Sequence, residues 1–122
     1  MLKGEPDEKQ QDGKPSFLID SFKDDFVTYS NEWVDTPEYN STLYHYFERK
    51  TQEHHFLNTH YQIVEAFNLG FGEKAFRYLW GLVFSQIPNH GKFLEIGVYK
   101  GSVLGLSQVI SKQFNKNITS YG

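Results

Sequence analysis

The stretch from Lys92 to Ser107, KFLEIGVYKGSVLGLS, constrains this chain more than any other. An apolar pair, Phe93 and Leu94, runs into the acid Glu95; Gly97 and Gly101 follow at G-x-x-x-G spacing, and a helical pattern then begins near Ser102. That order is how a buried parallel strand hands over to a helix. Glycine at both positions permits a tight turn and lets a ligand approach where a Cβ would stand in its way. The opening amides of the next helix lack partners within the helix and face the same ligand.

The acid narrows the choice of ligand. A pyrophosphate over this turn would be repelled by Glu95 unless the carboxylate were turned away or paired, whereas an ammonium group would be attracted. The segment Glu95-Ile96-Gly97-Val98-Tyr99-Lys100-Gly101-Ser102 resembles the first motif of class I S-adenosylmethionine-dependent methyltransferases. It is most similar to the E-x-G-x-x-x-G variant of small-molecule O-methyltransferases of the catechol and macrolide-sugar kinds.

The resemblance is strongest over residues 68 to 122. It implies that the methionine end of S-adenosyl-L-methionine lies over Gly97 to Gly101, its amino group on the side of Glu95. Val98 and Tyr99 then line the turn through backbone or apolar contact. Ser102 either donates its hydroxyl and amide to the cofactor carboxylate or serves as a helix N-cap. Many relatives carry the small hydroxyl residue one position later, where this chain has Val103. Asn68-Leu69-Gly70 resembles a segment that touches the methionine part in catechol-type relatives; read without the resemblance, it is a helix break. Lys100 reads as solvated.

A turn whose glycines serve packing alone is the plainer reading of the same residues. The ligand reading is preferred because an acid at the carboxyl end of a buried strand is costly without a partner, and because ligands bind at that edge.

With 122 residues there is room for one small domain. A 17% aromatic share supplies bulky anchors for its core. The net charge of −3 offers no basic stripe for nucleic acid. The lack of cysteine excludes disulfides, thiolate catalysis and Cys-ligated zinc. The start, MLKGEPDEKQQDGK, has no apolar core of a secretory signal, and the longest apolar run, Tyr78 to Phe84, is too short for a bilayer. The expected protein is cytoplasmic and free of membrane, and the sequons at Asn40 and Asn117 read as chance.

Residues 1–15 are charged and nearly free of apolar side chains, and read as a disordered tail. Residues 16–67 form an aromatic-rich, helical N-terminal region. Its first part, Ser16 to Trp33, keeps no clean period and reads as an arm with short helical turns. Thr36-Pro37-Glu38 is a helix start, predicting a helix to about Thr51 with Leu43, Tyr46 and Phe47 on one side. A second helix is expected over Phe56 to Phe67.

Residues 68–122 begin the cofactor-binding domain. A helix over Glu73 to Ile87 shows a stripe of Phe76, Leu79, Trp80, Val83 and Phe84; a strand follows over Phe93 to Val98, a helix from Ser102, and a second strand from Ile118 to Tyr121. The expected fold class is therefore α/β, with N-terminal helices followed by the first β-α-β of a Rossmann-like methyltransferase sheet. Two strands cannot cover a parallel sheet, so the chain reads as a fragment. In the family, the ribose-binding acid, and any carboxylates of a divalent-metal branch, would lie past Gly122.

The five histidines, His45, His54, His55, His60 and His90, show no metal-ligand spacing, and no metal is expected. The function expected is the cofactor-binding part of an S-adenosylmethionine-dependent enzyme, transferring methyl to an oxygen of a small molecule or sugar. No catalytic residue can be named. The alternatives are a nucleotide-binding oxidoreductase half-domain, which G-x-x-x-G spacing and Glu95 disfavour, and a non-catalytic interaction module.

Overall fold

The computed structural model describes the backbone of residues 4–70 and 72–122 and the side chains of 18–70 and 72–122. The elements run α1 (Gly4–Glu32), α2 (Pro37–Glu53), α3 (His55–Phe67), α4 (Ala75–Gln86), β1 (Lys92–Leu94), α5 (Ser102–Gln113) and β2 (Thr119–Tyr121). Residues 1–3 of the expected tail lie outside the described residues. The backbone of 4–15 belongs to α1, where a disordered tail is expected from composition. Glu5, Glu8, Lys9, Gln10 and Gln11 are good helix formers.

The α/β expectation is overturned, because the chain is predominantly helical. Its only sheet among the described residues is a parallel pair of three-residue strands, Lys92 opposite Thr119, Phe93 opposite Ser120 and Leu94 opposite Tyr121. The Glu95 amide adds one further bond to the Tyr121 carbonyl at 2.9 Å. The strand expected to reach Val98 ends at Leu94, opposite the last residue of β2, and Gly97, at φ +81°, keeps it from extending to Val98. Apolar burial is achieved instead by helix on helix, with α4 packed against α1, α2, α3 and α5. A single buried cluster draws Phe22 from α1, Phe47 from α2, Leu57 from α3, Tyr78, Leu82 and Phe84 from α4, and Leu106 and Ile110 from α5.

Two local readings also change. The aperiodic stretch after Ser16 belongs to the long α1, whose Phe22 is fully buried between the rings of His54, Tyr78 and Phe114, at 4.9, 5.0 and 5.0 Å. In α4 the buried face is Ala75, Tyr78, Leu82 and Phe84, while Phe76, Leu79 and Val83 are exposed. A helix apolar on nearly every side carries no stripe from which its inward face can be read.

The start of α2 follows its signature: Thr36 caps the helix by accepting the Tyr39 amide at 3.1 Å, and Pro37 opens the first turn. Thr51, also fully buried, accepts the Tyr78 amide at 3.1 Å, so α2 caps a donor in the first turn of α4. Thr51→Val keeps the shape and orphans that amide. It is expected to cost about 1–3 kcal/mol, read as a lower denaturation midpoint at unchanged m-value.

His54 joins α2 to α3, its ring stacked on Tyr78 at 5.8 Å. Burial holds its pKa below the ordinary 6.5; Lys50 adds to this, while Glu53 and Asp25 pull the other way. The unfolded chain therefore binds more protons than the folded one below pH 6.5. Stability should be full above that pH and fall below it. Tm is expected to drop between pH about 7.5 and about 5.5, and His54→Leu should reduce the slope.

Candidate functional site

Glu95 to Ser102 forms an irregular turn between β1 and α5. Gly97 and Gly101 hold φ of +81° and +84°, Tyr99 holds +53°, and the Gly101 amide closes the turn on the Val98 carbonyl at 3.0 Å. A Cβ added at Gly97 or Gly101 would meet no atom of the described residues within 4 Å beyond its chain neighbours. The glycines are therefore there for conformation, and the space outside them is open to a ligand. Gly101 is the N-cap of α5 and contributes no side-chain cap, which places Ser102 inside the helix at its first position.

Glu95 is half-buried, and its Oε1 is shut off from solvent without a hydrogen-bond partner among the described residues. A carboxylate oxygen in that position is costly until something cationic or hydrogen-donating reaches it. Val98 is half-buried, with its Cγ2 only 2.5 Å from where a Cβ on Gly122 would stand, so its role is to pack the end of β2. Tyr99 is exposed, with the Lys100 ammonium 5.3 Å from its ring centre.

The segment Asn68-Leu69-Gly70 comes to the same place. Lys100 Nζ donates to the Asn68 carbonyl at 2.8 Å, and a Cβ on Gly70 would stand 2.5 Å from Ser102 Oγ. Lys100 is exposed, as expected, and its ammonium also ties the two segments together. A cleft of about 370 Å³ opens between α3 and the start of α5, walled by His55, His60, Ile63, Lys100, Gly101 and Ser102. Glu95, Gly97 and Tyr99 lie outside that cleft.

Two further residues stand at the site: His60, considered from sequence only among the five histidines, and Arg77, not singled out at all. His60 Nε2 donates to the Ser102 carbonyl at 3.0 Å, and burial, followed by Arg77, holds the imidazole below its ordinary pKa. Arg77 is buried, with Nη1 bonded to the carbonyls of Gly72 and Glu73 at 3.0 Å each. The signal for Arg77 was present: it is the sole cation in the apolar helix AFRYLWGLVFSQ.

A larger groove, of about 610 Å³, lies between α1, α2 and α4, lined by Tyr29, Trp33, Leu43, Tyr44, Phe76 and Leu79. It shares no residue with the turn. Among the described residues no three His, Asp or Glu side chains converge to hold a metal ion, and no helix is long and apolar enough to cross a membrane. Compared with known proteins, the chain matches no protein family, no curated protein and no solved structure.

Proposed function

We propose that the turn from Glu95 to Ser102 binds the methionine end of S-adenosylmethionine, and that the chain serves methyl transfer to an oxygen of a small molecule in the cytoplasm. One observation carries the reading: the buried, unpartnered Oε1 of Glu95 beside two positive-φ glycines that leave room for a ligand. An ammonium group satisfies that oxygen with a charge-assisted hydrogen bond. The similarity of Glu95 to Gly101 to the first methyltransferase motif names the ligand that carries such a group.

The residues fit it in different ways. Glu95 receives the amino group, Gly97 and Gly101 admit the chain of the ligand, and the first amides of α5 at Ser102 face its carboxylate. Val98 sets the outer wall by packing, and Tyr99 flanks the turn. When bound, the cofactor supplies a methyl group already activated by its sulfonium. The chain's contribution is to position and to exclude water, and none of the residues named here is assigned to proton transfer.

Calorimetric titration of the full chain with S-adenosylhomocysteine tests the reading. Saturable binding is expected, weakened in Glu95→Gln by roughly 30-fold or more, the scale of breaking a buried hydrogen-bonded charge pair. Absence of binding, or equal affinity in Glu95→Gln, overturns it. Preferential binding of a nicotinamide dinucleotide would hand the turn to the oxidoreductase reading.

A further inference from the structure

Below the start of α5 lies a small cavity of about 80 Å³, walled by His60 of α3, by Phe76, Arg77 and Trp80 of α4, and by Ser102 and Val103 of α5. That space exceeds what one water needs and suits a single compact polyatomic group. Arg77 is its charged wall. The residue is only 4% exposed, its Nε is buried without a partner, and no carboxylate among the described residues forms an ion pair with it.

A guanidinium buried in this way is uncompensated. Two backbone carbonyls and the Tyr61 ring, 4.9 Å from the guanidinium carbon, help to hold it, but neither brings a negative charge. Glu65 acts on it only from a distance, and burial pushes the group below its ordinary pKa. Buried charges of this kind are ordinarily paired or ligated. The N-terminus of α5, uncapped by any side chain, adds a second source of positive potential on the same cavity.

His60 completes the set. Because its Nε2–H donates to the Ser102 carbonyl and the imidazole is held neutral by burial, Nδ1 is an acceptor, buried and unpartnered. The residues that wall the cavity thus carry donors, on Arg77 and at the start of α5, and one free acceptor, on His60. An oxyanion that still carries a proton matches both, whereas a bare one leaves the acceptor empty.

We propose that this cavity binds a small protonated oxyanion, with a single phosphate group as the match, held by Arg77 and the α5 N-terminus and read by His60 Nδ1. Neither Glu95 nor Gly97 borders the cavity, so Arg77 and His60 carry the proposal independently of the methyl-donor reading; Ser102 and the α5 N-terminus are common to both.

Trp80 lines the cavity and reports on it. In the full chain carrying Trp33→Phe, inorganic phosphate is expected to change Trp80 fluorescence saturably. Sulfate, which has no proton at neutral pH, should bind roughly tenfold more weakly, about the worth of one hydrogen bond. Arg77→Met should abolish the response. Val103→Phe, which fills the space and keeps the charge, should do the same if Arg77→Met does not fold. No saturable response to phosphate, equal affinity for sulfate, or unchanged affinity in either variant overturns the proposal. Prior saturation with S-adenosylhomocysteine separates a free ion from a group on a larger ligand: competition or its absence says which, and either outcome requires the oxyanion to have bound.

Discussion

Phe22→Ala is expected to lower stability by about 3–5 kcal/mol, the cost of deleting a fully buried aromatic ring and leaving its cavity. A loss of that size should reduce Tm by roughly 10 °C or more. Phe22 is where α1 enters the core, touching the rings of His54, Tyr78 and Phe114. The partner that makes room for it is Gly81 of α4, where a Cβ would stand 2.9 Å from Phe22 Cδ1 and closer still to Cε1. Gly81→Ala should therefore destabilise. Its helix-propensity gain of about 1 kcal/mol is outweighed by overpacking, at about 1–3 kcal/mol, against a ring with no free direction to move. With Phe22→Ala already in place the clash is gone, and Gly81→Ala should become stabilising. Denaturant titrations of the four proteins in this cycle give the coupling, and additivity would show that α1 does not seat on α4 in this way.

That cycle also shows where sequence and structure part company. Signals confined to a few residues were legible: the Thr36-Pro37 cap, the break at Asn68 and the glycine-lined turn before Ser102 each depend on local backbone preference. Asn68 indeed ends α3 in the left-handed conformation, at φ 53°. Features set by tertiary partners were not. Nothing near Phe22 in sequence announces that Gly81 will receive it. A strand's length depends on what pairs with it, so an apolar segment that reads as a strand to Val98 yields three residues in β1 when, among the described residues, β2 alone lies beside it. The inward face of α4 was hidden by apolar residues on its other sides, although Arg77, the sole cation in that helix, was a signal for it.

The glycines of the turn behave oppositely to Gly81, and this separates binding from stability. Gly97 sits at φ +81° with no atom of the described residues within 4 Å of an added Cβ, so the Cβ of Gly97→Val meets no steric obstacle there. Its cost is conformational, about 1–2 kcal/mol for holding a side chain in the left-handed region, with a β-branched residue at the upper end. The empty space beside Gly97 is the space assigned to the ligand. A valine side chain there must displace it, and overpacking of about 1–3 kcal/mol on top of lost contact lowers affinity by roughly 100-fold. Gly97→Val should therefore fold, with a modest fall in Tm, and fail to bind S-adenosylhomocysteine under conditions that saturate the unsubstituted chain. Gly105, exposed on α5 and also free of neighbours within 4 Å, is the control: Gly105→Ala should gain about 1 kcal/mol of helix stability and leave binding unchanged. If Gly97→Val binds as tightly as the unsubstituted chain, the open space over the turn is not where the ligand lies, and Glu95 faces no ammonium there.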